Sequence, residues 1–293
     1  MPVSEFESTS RGSRGKAGTK NQGDDEVKLF ISCNDHDTLL LFSDRGVAYA
    51  LPAYRVPLSS RTAKGTPSVQ LLPIPREEQI TSLLSVESFE NDYYLLMLTK
   101  GGFIKRTPLS AFSKIRSNGL IAISLEEGDA LTWVRSSSEG DSVLIGSSKG
   151  MTIHFRLDIN ELRPLGRTAR GVKSMNLRDG DQLVSMDVLT SELVEQLSTL
   201  NDIDIDPNDE SEDNLSEGPW VLVASSFGLG KRVPVTQFRL QKRAGMGLKA
   251  IKFRIKNDVL VGLKVLGKGE EILLVTEKGV IVRTNADKIS QQS

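Results

Sequence analysis

One pattern recurs five times along the 293 residues and limits the possible folds more than any other feature. An apolar run ends in Ser or Thr, two residues follow, then a Gly, then a second apolar run. The copies are LLLF-Ser43-DR-Gly46-VAYAL, LLML-Thr99-KG-Gly102-FIKRT, VLIG-Ser147-SK-Gly150-MTIHF, VLVA-Ser225-SF-Gly228-LGKRV and ILLV-Thr276-EK-Gly279-VIVRT. Two short apolar runs joined by a turn whose Gly supplies φ > 0 predict a β-hairpin. The glycines stand 56, 48, 78 and 51 residues apart. A period near fifty, made of short strands, predicts an all-β fold of propeller-like blades.

A second motif alternates with the hairpins: SRGSRG (10–15), SRTAKG (60–65), KIRSNG (114–119), GRTARG (166–171) and KRAGMG (242–247). Its terminal glycines, Gly15, Gly65, Gly119, Gly171 and Gly247, are spaced 50, 54, 52 and 76. Without residues 190–218 the last interval falls to 47, so both motifs share one period. Residues 201–217 hold eight acids and no base, and we read 190–218 as a mostly disordered excursion whose best helix signal is 190–200. Outside the acidic tract, 37 basic residues face 30 acidic ones, so a net charge of −1 conceals a basic body.

The bases are in phase. Arg11, Arg61, Arg167 and Arg243 stand four before the loop glycine, and Arg14, Lys64 and Arg170 directly before it. Lys16 follows the first copy and Lys242 opens the last, while Lys105, Arg106, Lys231 and Arg232 follow hairpin turns. One Arg-x-x-Lys-Gly alone reads as a solvated loop. Recurrence at a fixed period predicts backbone N–H groups and cations converging on phosphates around a rim. The third and fifth copies lack the second base, having Asn118 and Met246. No helix is available to read the major groove, and 5% aromatics are too few for a base-stacking platform. The expected partner is double-stranded DNA, held through its backbone and largely without regard to sequence.

Other chemistries fail. A single cysteine, Cys33, excludes an internal disulfide and reads as a buried small apolar residue. His36 and His154 alone make no metal site. GLKVLGKG (262–269) lacks the Ser/Thr of a phosphate-binding loop and falls between predicted strands. Asp35-His36-Asp37 reads as a turn, and Tyr49, Tyr54, Tyr93 and Tyr94 as packing residues. No apolar run reaches the roughly 20 residues of a membrane helix, and neither a secretory signal nor a transit peptide is visible. A competing expectation is a protein-interaction propeller, with the acidic insertion as a docking or regulatory segment.

SRTAKGTPSVQLLPI, DTLLLFSDRGVAYALPAYRVP, LTKGGFIKRTPLSAF and GRTARGVKSMNLRDGDQLVSM resemble the C-terminal domain of DNA gyrase A, from a type IIA topoisomerase, most of all in its plant organellar form. The resemblance implies a β-pinwheel whose blades exchange strands and whose basic rim wraps DNA, serving ATP-dependent negative supercoiling by the holoenzyme. It implies no catalysis and no cofactor in this chain: the catalytic tyrosine, ATP and Mg²⁺ belong to the rest of gyrase A or to gyrase B, its implied partners. It also implies a chloroplast or mitochondrion, and no membrane.

The family's box, Gln-Arg-Arg-Gly-Gly-Lys-Gly, corresponds to residues 9–15. Arg11, Gly12 and Gly15 match and Arg14 keeps the charge, while Thr9, Ser10 and Ser13 depart. A closer partial match stands at Gln241, Lys242, Arg243, Gly245 and Gly247. Residues 1–26 are thus expected to be a basic segment with a degenerate box, and 27–293 a pinwheel of five recognisable repeats, a truncated six-bladed ring. Removing Arg61 and Lys64 together should weaken binding to all duplexes alike and lower the slope of log K against log salt by roughly two contacts' worth, read by salt titration.

Overall fold

The computed structural model describes residues 16–17, 28–60, 63, 65–90, 92–193, 195, 218–275 and 280–291. A two-residue strand β1 (Lys16–Ala17) precedes the hairpin β2 (Thr38–Ser43)–β3 (Val47–Pro52), which is followed by β4 (Ile80–Val86). The hairpin β5 (Tyr94–Thr99)–β6 (Phe103–Pro108) is followed by β7 (Leu120–Ile121) and β8 (Leu131–Ser137). Next come β9 (Ser142–Ser147)–β10 (Met151–Arg156), then β11 (Val172–Lys173) and β12 (Leu183–Leu189). The fourth hairpin is β13 (Trp220–Ser225)–β14 (Gly230–Pro234), with β15 (Leu248–Lys249) and β16 (Leu260–Leu266) after it. The fifth is β17 (Glu271–Val275)–β18 (Val280–Asn285).

The strands form five antiparallel sheets, ordered β4-β2-β3-β7, β8-β5-β6-β11, β12-β9-β10-β15, β16-β13-β14 and β17-β18-β1. In each four-stranded sheet the inner strand follows its own hairpin, but the two-residue outer strand comes from beyond the next hairpin. This is strand exchange between neighbouring blades. The N-terminal β1 fills the same outer position on the last hairpin, with Lys16 opposite Ile281. At the outer edge of the fourth sheet, Arg232 forms a parallel bridge to Gln291.

The hairpin motif has a local cause. The Gly N–H closes the turn onto the Ser/Thr carbonyl in Gly46, Gly102, Gly150 and Gly228, at 2.9–3.0 Å. All four have φ between 76° and 89°. In three turns the hydroxyl also accepts from the N–H four residues on: Val47 to Ser43, Phe103 to Thr99 and Met151 to Ser147. The residue after the Ser/Thr donates to a carbonyl just before the inner strand, as Lys100 does to Ala130. A bulge then shifts the register at the same place in four sheets. The fifth turn, 276–279, lies outside the described residues.

Inner strands β4, β8, β12 and β16 pack on one another in order. Ser82 Oγ of β4 donates to Thr132 O and accepts from Val134 N of β8, and Ser185 of β12 exchanges the same pair of bonds with Leu263 of β16. Apolar faces close between blades, as where Leu96, Leu98, Ile104, Val143, Ile145, Ile153 and Phe155 form one buried cluster. Most of 190–218 is outside the described residues, although 191–193 are helical.

Two expectations are corrected. Cys33 is exposed, not buried, because residues 28–34 join no sheet. Tyr54 and Tyr93 are 66% and 43% exposed, whereas Tyr49 packs as expected and donates its hydroxyl to Glu78. Asp35 and His36 do form a turn, with the Asp37 carboxylate accepting from Asn34 N and Ser85 Oγ.

The loop glycines are where the outer strand meets the hairpin. Gly171 has φ +99°, and a Cβ there would stand 2.5 Å from Ile104 O. Gly128 has φ +80° with open space around it. Gly128→Ala should therefore destabilise by about 1–2 kcal/mol, and Gly171→Ala by about 3 kcal/mol or more, since it adds overpacking to the same strain. Urea unfolding of the two variants checks the difference.

Candidate nucleic-acid interface

Successive cations on β6 and β14 face the interior. Lys105 and Arg106 are 0% and 1% exposed, and Arg232 is 8%. Arg106 Nε donates to Leu162 O at 2.5 Å, Nη1 pairs with Glu139 at 2.8 Å, and the guanidinium lies 4.7 Å from the Tyr94 ring centroid. Arg232 repeats this one blade pair later. Nε donates to Ile289 O at 2.9 Å, Nη1 pairs with Asp287 at 2.9 Å, and the Trp220 ring centroid lies 4.6 Å away. His154 holds the same position in β10, where Nδ1 donates to Phe238 O at 2.6 Å and Nε2 bonds Ser142 Oγ at 2.8 Å. Each group pins the segment returning from the next hairpin.

Lys105, Arg106 and Arg232, expected on the rim, are therefore internal stitches. Carbonyls left unpaired where the returning segment turns need donors, and a long cation reaches them while pairing its charge. Lys231, next to Arg232, is half-buried, and burial lowers its pKa.

The loops before the outer strands carry exposed cations. Lys114 and Arg116 in the third loop, Arg163, Arg170 and Lys173 around the fourth, and Lys242 and Lys249 around the fifth are exposed or half-buried. Two shallow grooves run between neighbouring loops. One, of about 740 Å³, is lined by Lys114, Arg116, Asn118 and Gly119 together with Arg167 of the following loop. The other, of about 480 Å³, is lined by Glu161, Arg163 and Arg170 together with Arg243 of its following loop. In both, the Arg four before the glycine reaches the groove of the preceding loop.

These arginines differ in freedom. Arg170 pairs with Glu126 and lies 4.4 Å from the Phe103 centroid. Arg243 donates Nε to Glu161 O at 2.7 Å and its backbone N–H to the Glu161 carboxylate at 3.1 Å. Beneath Arg167, the Lys105 ammonium donates to Gly166 O at 3.0 Å and Arg167 O at 2.5 Å. Burial first, then the nearby Arg167 charge, push the Lys105 pKa down to about 7. Arg11, Arg14, Arg61 and Lys64 lie outside the described residues, and Lys16 is placed only through its backbone pairing. Among the described residues no three His, Cys, Asp or Glu side chains gather as metal ligands, and no helix is long and apolar enough to cross a membrane.

Comparison with known proteins fits this architecture. The sequence matches the family described as "DNA gyrase C-terminal domain, beta-propeller" over residues 1–34, 37–87, 93–138, 141–190, 219–266 and 270–293. It is 54% identical to DNA gyrase A of Synechocystis sp., over 100% of this chain and 35% of that protein. It is 38% identical to the chloroplastic/mitochondrial DNA gyrase A of Arabidopsis thaliana, over 100% of this chain and 31% of that one. The chain thus spans about a third of the length of these relatives, and it shares more with the cyanobacterial protein than with the plant one. Among solved structures it resembles a DNA gyrase A C-terminal domain, with TM-score 0.78, 25% identity and 100% and 87% of the two chains covered. It also resembles the C-terminal domain of DNA topoisomerase IV, with TM-score 0.68, 25% identity and coverage of 88% and 72%.

The low Lys105 pKa fixes a sign. Charging it is penalised in the folded state, so the deficit is fully present below about 7 and is relieved as pH rises toward the ordinary 10.5. Lys105→Met leaves two carbonyls without this donor, at about 1–3 kcal/mol. Its shortfall in unfolding free energy against the unsubstituted chain should widen between pH 7 and 10, as measured by denaturant titration at each pH.

Proposed function

Because the chain belongs to the DNA gyrase C-terminal domain family, we propose that it binds and wraps double-stranded DNA around its outer strands as the non-catalytic wrapping module of a gyrase. The observation that carries this reading is the recurrence of outward Lys and Arg on the loops before β7, β11 and β15. Such cations attract the phosphate backbone and release its counterions whatever the base sequence. Loops repeated at one period give a duplex contacts at regular steps, which suits a bent path.

On this reading Arg167, Arg170, Lys242 and Arg243 contact phosphates, joined by Arg11, Arg14, Lys16, Arg61 and Lys64. Lys105 acts from beneath by holding the fourth loop, Arg106 and Arg232 by holding the segments returning from the next hairpin, and Lys231 lies half-buried beside Arg232. ATP-dependent supercoiling belongs to the holoenzyme, with the remainder of gyrase A and with gyrase B as partners. An organellar address is supported by the name of the Arabidopsis relative, and 54% identity to the Synechocystis protein supports a cyanobacterial one equally.

The test is topological. Relaxed circular plasmid is bound by the chain, nicked and religated in its presence, and the linking number read on a gel. A shift growing with protein concentration is the expected outcome. Gel retardation without any shift would reduce the function to binding without wrapping, and binding insensitive to salt would remove the phosphate contacts altogether.

A further inference from the structure

We infer that a DNA phosphate is seated not by one loop but by the groove between two successive loops. Among the described residues, the groove of Lys114, Arg116 and Arg167 is the strongest such seat. The inference rests on the DNA-binding reading above and deepens it.

Read as one loop, KIRSNG is the weakest of the described copies, since Asn118 stands where Arg170 stands in the next. The folded chain reverses that ranking. Lys114 and Arg116 are exposed, Arg167 joins them from the following loop, and no acid among the described residues lines their groove. None of the three has an ion-pair partner among the described residues. A phosphate entering the groove therefore displaces no carboxylate of the described residues.

The neighbouring groove is built on the same plan but carries acids. Glu161 lines it, its carboxylate accepting from the Arg243 backbone N–H and its carbonyl from Arg243 Nε, while Arg170 is ion-paired with Glu126. A phosphate there meets the Glu161 carboxylate and competes with Glu126 for Arg170. The backbone that carries Arg167 into the open groove is ordered as well, because the Lys105 ammonium holds the Gly166 and Arg167 carbonyls from below. Less ordering is then left for DNA to impose.

The test uses the full chain and a fluorescent mixed-sequence duplex, with anisotropy followed through a salt titration. The variants are Lys114→Gln with Arg116→Gln, Arg167→Gln, and all three together. These positions are exposed or half-buried, and melting curves verify that each variant folds. If one phosphate is shared, Arg167→Gln weakens binding about fivefold in the unsubstituted chain but less than about twofold once Lys114 and Arg116 are gone. The triple variant then lowers the salt slope by roughly one, not three. Arg163→Gln, in the other groove, should weaken binding by the same factor with or without Arg167.

Independent, additive losses and a slope reduced by about three would overturn the shared seat while leaving DNA binding intact. Absence of salt-dependent binding by the unsubstituted chain would overturn both.

Discussion

The fold depends on a donor set four residues after the turn glycine, on the second hairpin strand, reaching sideways to the next repeat. Arg106, His154 and Arg232 occupy that place and hold the carbonyls of Leu162, Phe238 and Ile289. Backbone bonds lie alongside: Leu165 N donates to Arg106 O, Gln241 N to His154 O and Arg232 N to Ser290 O. A buried cation is tolerable only where its charge and donors are met, and Glu139, Asp287 and two aromatic faces meet them. Once the returning segment is pinned, the loop that follows has one place to go. Its glycine then lets the outer strand lie against the hairpin with no Cβ between. The position of the surface charges is set from inside the blades.

That arrangement explains why basic residues recur in two phases rather than one. Those following the hairpin turns are structural and those preceding the outer strands face outward, although both repeat every fifty residues or so. Periodicity shows that a position matters to every repeat; it does not tell interior from surface. Lys105 and Arg106 were legible as special but not as buried, because their partners are main-chain carbonyls about sixty residues away, which leave no trace in a local motif.

The hairpins and their period were legible because a turn needing φ > 0 and a hydroxyl acceptor restricts residue type at fixed offsets. The outer strands were not: two residues cannot show an alternation. Another signal went unused. Asp129, Asp181 and Asp258 each stand two residues before an inner strand and accept backbone N–H groups from the neighbouring turn, those of Gly101, Lys149 and Phe227. In the first blade the turn itself supplies the carboxylate, since Asp44 accepts from Gln79 N. The shared grooves were also beyond reach, because they join residues from loops a whole repeat apart.

Strand exchange has a consequence for synthesis on the ribosome. The hairpin β2–β3 is complete at Pro52, yet its outer partner begins only at Leu120. At roughly 5–20 residues per second, several seconds pass while that edge stands unpaired. Each of the first three blades is finished by its successor, so the nascent chain carries one open edge forward as it grows. For the last sheet the order is reversed, because its outer strand, Lys16–Ala17, is made first and must wait for β18. Until then Lys16 and Ala17 have no strand to pair with.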